Sequence, residues 1–259
     1  MIATSPDATL VAQTCAWCEQ PLASGPLRPS GRVRCDACGA TTVMAWRPQE
    51  AAVAEREPGA PAPLDEGLRR LCSLGEAARR HARRRLAVRV ARVAPPGPVL
   101  DVGSGDGLLL DALRATGRLV TGISRPATRA GVQDAEITEL GGRYAAIVFW
   151  QSLGRLARPA TALEHAAALL KPGGMLAIAQ PSPARQQARA LGERLLARDP
   201  RAPRVLIPPQ TVLDRLHALG LRIERVDHLL DADRLLAGQA VGAWMQGLLG
   251  GIVSIEARR

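Results

Sequence analysis

Apolar residues run together over Pro98-Val99-Leu100, continue past one acid, Asp101, to Val102, and give way to Gly103, Gly105 and Gly107. Leu108, Leu109, Leu110 and Leu113 then recur at helical spacing. An apolar run closed by turn residues and followed by a 3.6-residue period predicts a buried parallel strand, a tight turn and a helix. A second run, Tyr144-Ala145-Ala146-Ile147-Val148-Phe149-Trp150, predicts a central strand. Upstream, Leu68, Leu71, Cys72, Gly75, Ala78, Ala82, Leu86, Val90 and Val93 recur at helical spacing. Ser73 and Glu76 fit a capping box, which predicts two helices parting near Ser73, and Pro95 and Pro96 stop the pattern. Cys72 falls on the apolar side and reads as a core thiol.

Glycines at alternate positions let the backbone turn sharply and approach a ligand that a side chain would exclude. The carboxyl end of a strand in an open α/β sheet is where ligands bind. The dinucleotide fingerprint G-x-G-x-x-G is not met, because the third glycine arrives one residue early, at Gly107, and Leu108 takes its place. Asp101, two residues before the first glycine, suits an ammonium group better than a pyrophosphate. This stretch resembles motif I of the class I S-adenosylmethionine-dependent methyltransferases. Leu169-Leu170-Lys171-Pro172-Gly173-Gly174-Met175-Leu176-Ala177-Ile178 is similar to that family's helix, L-K-P-G-G turn and fifth strand. Proline halts a helix and glycine accepts positive φ, which gives the turn a physical basis. The resemblance continues through a late helix at 208–216, a sixth strand at 221–226 and a seventh at 251–257. It implies an α/β fold: a Rossmann-like seven-stranded sheet with strand 7 antiparallel, preceded by a small zinc ribbon.

The resemblance further implies S-adenosylmethionine as cofactor, with contacts from Asp101, Gly103, Ser104, Gly105 and Gly107. The family's acid at the end of strand two, which holds the ribose, is replaced by Ser124. Asp134 and Ala135 are the best match to the pair that touches the adenine, although a solvated loop acid is an equal reading. Twenty residues separate Ile123 from Tyr144, so the helix and third strand expected there are trimmed. Ala145 replaces the acid that often opens strand four, and Leu153-Gly154-Arg155-Leu156 lacks the acid and histidine of the usual L-E-H-L. Gln151 and Arg155, in the loop after strand four, are the candidate catalytic residues. No base stands out, and His165, His217 and His228 read as surface histidines. No N/D-P-P-Y/F tetrad follows strand four.

Cys15-Ala-Trp-Cys18 and Cys35-Asp-Ala-Cys38 are separated by sixteen residues. A C-x2-C pair turns tightly enough to place two sulfurs on one ion, and two pairs complete a tetrahedral site. Four thiolates leave no open position, so the Zn2+ at Cys15, Cys18, Cys35 and Cys38 is expected to be structural. About forty residues bury little core, so metal binding supplies the folding energy. A reducing compartment disfavours the alternative of two disulfides. The ribbon is expected at 11–48, a linker rich in Ala, Glu and Pro at 49–64, and the methyltransferase domain at 65–259, with a helical lead-in at 65–94 and the core at 97–259.

Only one of the 34 basic residues is lysine, Lys171, so the isoelectric point near 10.9 reflects a preference for arginine and is no direct sign of nucleic acid. Nine arginines against two glutamates over 66–93 carry +7 of the net +10. Arg79, Arg80, Arg83, Arg84 and Arg85 are expected on a solvated outer face, or on a surface for an anionic partner. Six aromatic residues in 259 argue against a stacking platform for single strands. No apolar run reaches the length of a membrane span, and the first residues lack a signal peptide's basic and apolar regions, so a cytoplasmic protein is expected. The order of ribbon, helix and class I domain resembles bacterial methyltransferases acting on small molecules or carrier-bound intermediates. It also resembles some rRNA guanine methyltransferases. A degenerate, non-catalytic binding module is the remaining alternative, motivated by Ser124 and the missing base.

Overall fold

The computed structural model describes residues 14–22, 32–43, 66–181, 203–230 and 252–259. The expected linker at 49–64 lies outside them, as does the side chain of Cys72. Arg32–Arg34 (β1) and Thr41–Val43 (β2) form a hairpin. Glu66–Val93 is helix α1, followed by Val99–Val102 (β3), Leu108–Arg114 (α2), Val120–Ser124 (β4), Val132–Asp134 (β5) and Tyr144–Trp150 (β6). Pro159–Leu169 (α3), Leu170–Pro181 (β7), Val205–Leu206 (β8), Pro209–Ala218 (α4), Arg222–Leu230 (β9) and Ile252–Arg258 (β10) complete the order. Short 3-10 turns occupy Ile137–Glu139 and Leu153–Arg155.

Seven strands form one sheet in the order β5-β4-β3-β6-β7-β10-β9. β3 to β7 are parallel, and β10 runs antiparallel between β7 and β9. The chain moves outward from β3 through β4 to β5, then returns to place β6 on the other side of β3. β3 and β6 therefore flank the switch point, and open α/β sheets bind ligands at the carboxyl ends of such strands.

Alternation along the strands sorts the core. Val99 of β3 and Ala146, Val148 and Trp150 of β6 pack under α1 and α2, while Leu100, Val102, Ile147 and Phe149 pack under α3 and α4. Helix α1 contributes Ala82, Leu86 and Val90, spaced by four residues and buried. Full burial of a side chain the size of Leu86 or Val90 stabilises by about 1.5–3 kcal/mol. Helix ends leave backbone carbonyls without intrahelical partners. Arg118 closes the end of α1 and the turn after it, donating to Ala91 O, Ala94 O and Pro95 O at 2.9, 2.7 and 2.7 Å. Arg259 does the same after α3, reaching Ala167 O, Ala168 O and Leu170 O at 3.1, 2.9 and 3.0 Å.

Three expectations need correction. α1 is one uninterrupted helix through Ser73, because a mid-helix serine costs a fraction of a kcal/mol whereas a break forfeits several backbone hydrogen bonds. Arg83 is buried rather than on the outer face, although Arg80, Arg84 and Arg85 are exposed. The L-K-P-G-G segment lies inside β7 as a bulge, where Tyr144 pairs with Leu170 and Ala146 already pairs with Met175. Gly173 takes a φ of 69° there.

The hairpin is not a free appendage. β2 pairs with β8 to complete a second, three-stranded sheet, and Cys15, Trp17, Leu22, Cys35 and Ala40 join the apolar cluster under α3 and α4.

Candidate functional site

The strand end at Val102 turns immediately. The Gly103 and Ser104 amides both donate to Ile123 O, at 2.8 and 3.0 Å, and the Gly107 amide donates to Ser104 O at 2.8 Å. The Ser104 hydroxyl donates to Asp101 O at 3.0 Å and is buried, so its polar atoms brace the loop. The glycines do different work. At Gly103, φ is +72° and a Cβ would overlap Ser152. At Gly105, φ is +50° and the nearest atoms, on Arg155 and Gly103, stand 3.8 Å from a built Cβ, so a side chain there would make only ordinary van der Waals contact with the protein. Gly107 starts α2, with the Arg129 guanidinium laid against it. Arg129 is itself fixed by Asp106 O at 3.1 Å and the Asp111 carboxylate at 2.9 Å.

Asp101 is the electrostatic centre. Its side chain lies on the α1 face of the sheet, and Oδ2 is buried with no hydrogen-bond partner. Burial pushes its pKa from 3.8 up to about 7, and the charge on Asp106 adds to this, against the opposing pull of Ser104, Arg83 and Arg114. On the same face, Trp150 Nε1 is also buried without a partner. Arg83 descends from α1 to stand 5.7 Å over the Trp150 ring and to pair with Asp106 at 3.1 Å. An unpartnered acceptor and an unpartnered donor beneath a buried guanidinium match the two ends of an amino-acid zwitterion. The residues thus fit the amino-acid portion of S-adenosylmethionine.

Further along the sheet edge, Ser124 pairs in register with Asp134. Asp134 is exposed and accepts from the Arg125 guanidinium at 3.2 Å and the Ala127 amide at 3.3 Å. The Ala127 amide and then Arg125 hold its carboxyl below the usual range. Arg125 also pairs with Glu139 at 2.5 Å. Ala135 is half-buried beside the core. No helix separates β4 from β5, which is the trimming expected from the sequence.

The loop after β6 closes over the glycine turn. Gln151 has a φ of +52°, and its amide donates to Ala179 O at 2.6 Å. The Ser152 hydroxyl donates to Val102 O at 2.5 Å, locking this loop onto the glycine loop. Arg155 extends its guanidinium toward Gly105. A shallow cleft adjoins it, lined by Gln151, Gly154, Gln180, Pro203, Val205, Leu206 and Ile207. A second hollow, near Arg89 and Glu256, lies away from the switch point and beside a structural ion pair. His165 bonds to Leu140 O at 3.0 Å and His217 is exposed, so neither reaches the site.

The four cysteines converge. Their Sγ atoms lie within 4.8 Å of one another, with Cys15–Cys38 and Cys18–Cys35 each at 3.6 Å. A tetrahedral Zn2+ with bonds of about 2.3 Å needs sulfurs about 3.8 Å apart, so the set fits that ion. Two matching turns build it: the Glu19 and Gly39 amides return to Cys15 O and Cys35 O at 2.9 and 2.8 Å. Both residues have positive φ. Burial pushes the Cys18 and Cys38 thiols up, so a bound cation is needed to hold them as thiolates.

Residues 78–226 match the family described as "Methyltransferase domain". The chain belongs to this family. Its fold is similar to that of magnesium protoporphyrin IX methyltransferase from Synechocystis PCC 6803, solved with bound SAH, at 16% identity and a TM-score of 0.50, covering 77% of this chain and 90% of that one. A SAM-dependent methyltransferase from Archaeoglobus fulgidus is similar at 15% identity, 68% and 94% coverage and a TM-score of 0.49. The plantazolicin methyltransferase BpumL in complex with SAH is similar at 13% identity, 75% and 91% coverage and 0.48. No curated protein matches the chain. The protein thus carries a methyltransferase domain with the fold of a known methyltransferase, and a four-cysteine cluster that fits a zinc ribbon.

Within the methyltransferase domain, the structure brings together Asp101, Gly103, Ser104, Gly105, Gly107 and Arg155, and sets Ser124, Asp134 and Ala135 along the adjoining strand ends. Arg83, Trp150 and Ser152 were missed. The first lay hidden in an arginine run, the second read as strand core, and Ser152 carried no signal. Among the described residues, no helix is long and apolar enough to cross a membrane.

Proposed function

We propose that this methyltransferase transfers a methyl group from S-adenosylmethionine to a small molecule or a carrier-bound intermediate in the cytoplasm. The observation that carries the reading is the buried, unpartnered Asp101 Oδ2 at the end of the strand that turns into the glycine loop. When bound, S-adenosylmethionine supplies an electrophilic methyl on sulfur. Asp101 holds the ammonium, Arg83 and Trp150 receive the carboxylate, and the backbone at Gly103, Gly105 and Gly107 accommodates the body of the nucleoside. Ser124 contributes one hydroxyl toward the ribose, and Asp134 and Ala135 border the adenine.

The cleft against Gln151, Gly154 and the 203–207 strap receives the acceptor. Its described lining carries no charge. The Gln151 carboxamide cannot take a proton and the Arg155 guanidinium stays charged, so neither serves as a base. Catalysis then comes from alignment of an acceptor nucleophilic in its own right. Zn2+ at Cys15, Cys18, Cys35 and Cys38 is structural.

Titration calorimetry with S-adenosylmethionine and S-adenosylhomocysteine tests the cofactor assignment; no heat at millimolar concentration overturns it. Ser124→Asp is expected to tighten binding about three- to tenfold, because a carboxylate makes charge-assisted bonds to hydroxyls where serine makes a neutral one. Unchanged affinity would show that the ribose does not reach the end of β4. Exposed Arg80, Arg84, Arg85 and Arg92 on α1 support RNA as a second reading of the acceptor. RNA affinity that falls steeply between 50 and 200 mM salt would favour it.

A further inference from the structure

The strap at 203–207 is gripped from both sides. On the ribbon side, Thr41 and Thr42 of β2 pair with Leu206 and Val205 of β8, and the Val43 amide donates to Arg204 O at 2.9 Å. Just beyond the strap, the Thr211 hydroxyl at the start of α4 donates to the carbonyl of Cys38 at 2.9 Å. On the sheet side, Gln180 Nε2 donates to Ile207 O at 2.9 Å, and Gly154 presses so closely on Val205 O that a Cβ would overlap it. Val205, Leu206 and Ile207 are buried, and Val205 and Ile207 share an apolar cluster with Cys15, Trp17, Cys35, Leu153 and Val212. The same strap forms one wall of the cleft beside Gln151 and Gly154. β8 has two residues and, among the described residues, pairs only with β2, so the hairpin helps fix its position. That hairpin runs directly from Cys35 and Cys38, in a module too small to hold its shape by apolar burial alone.

We propose that the four-cysteine centre is a working part of the methyl-acceptor site: a bound Zn2+ sets the position of the cleft wall and leaves the cofactor cradle untouched. The proposal rests on reading this cleft as the acceptor site. The cradle at 101–107 is built from β3, α1 and α2, bonds to Ile123 of β4 and packs against Ser152 after β6, and among the described residues it takes no hydrogen bond from the ribbon. Coupling of this kind is reciprocal, so loosening the strap must weaken metal binding by the same factor that metal loss loosens the strap.

Hydrogen exchange on the full chain tests this, with Zn2+ bound and after stripping by EDTA in reducing buffer. Amides over 203–213 are expected to exchange at least about tenfold faster without metal, while 98–110 stay protected. Affinity for S-adenosylhomocysteine is expected to stay within about twofold, since the cradle lies outside the coupled unit. Gln180→Leu, which touches no cysteine, is expected to lower Zn2+ affinity at least about threefold in chelator competition. Unchanged protection over 203–213 on stripping overturns the proposal, and so does unaltered Zn2+ affinity in Gln180→Leu. If stripping unfolds the whole chain, the Gln180→Leu titration decides. Failure of S-adenosylhomocysteine to bind the metal-loaded protein would remove the cofactor reading instead, and the exchange result would stand apart from it.

Discussion

Asp101→Asn is expected to make the empty protein more stable and the cofactor complex weaker. Burial raises the Asp101 carboxyl from 3.8 to about 7, so over that range the folded chain keeps a proton that the unfolded chain releases. The stability this group allows is therefore full below the unfolded value and is lost as pH climbs to about 7. Above that, an ionised carboxylate sits buried with Oδ2 unpartnered, at a cost of at most roughly 4 kcal/mol. Asparagine removes that charge, and the melting temperature at pH 8 should rise by about 5 °C or more for a domain of this size. A ligand ammonium needs the charge, so affinity for S-adenosylhomocysteine should fall about 10- to 100-fold. In the wild type the same affinity should be roughly tenfold weaker at pH 6 than at pH 8. That dependence should vanish in Asp101→Asn. Calorimetry at the two pH values and thermal melts of both proteins check it. A variant that melts lower and binds equally well would show that Asp101 serves the fold alone.

The glycine loop gives the second large effect, and it separates two neighbouring positions. Gly103→Ala drives a methyl group into Ser152 at a φ of +72°. Overpacking and left-handed strain together should cost about 3–5 kcal/mol, enough to lower expression and melting temperature with or without ligand. Gly105→Ala meets no atom closer than 3.8 Å, so only the left-handed penalty of about 1–2 kcal/mol applies to the fold. Its methyl group would occupy ligand space, and affinity for S-adenosylhomocysteine should drop on the order of 100-fold. Thermal denaturation with and without S-adenosylhomocysteine distinguishes the two. If Gly105→Ala keeps its ligand-induced stabilisation, the ligand does not lie against that face.

The stretch from Pro98 to Leu113 was legible because several requirements call for the same residue there. The backbone must turn at the end of a buried strand, and it must stay bare against Ser152 at Gly103, against Arg129 at Gly107 and toward the proposed ligand at Gly105. The cysteine pairs were legible for a similar reason, since two sulfurs three residues apart have few other uses. What the sequence concealed depends on contacts remote along the chain. Arg83 sits among five arginines within 79–85, and only Asp106 and the Trp150 ring distinguish it from its exposed neighbours. β8 has two residues, too few for any period, and its partner β2 lies more than 160 residues earlier. The unbroken α1 defeats the capping signal at Ser73 because a cap is a local preference, and backbone hydrogen bonding along the whole helix outweighs it.

Arg118 and Arg259 bear on how the protein behaves at the bench. Each guanidinium is spent on three backbone carbonyls at a helix end, and planar forks of five donors do this where an ammonium would not. Arg83, Arg89 and Arg129 are likewise committed to carboxylates. Part of the cationic charge behind the isoelectric point of 10.9 thus joins elements of the fold, while Arg80, Arg84, Arg85 and Arg92 face solvent. The protein should elute from heparin or a sulfonate column at lower salt than its titration curve implies.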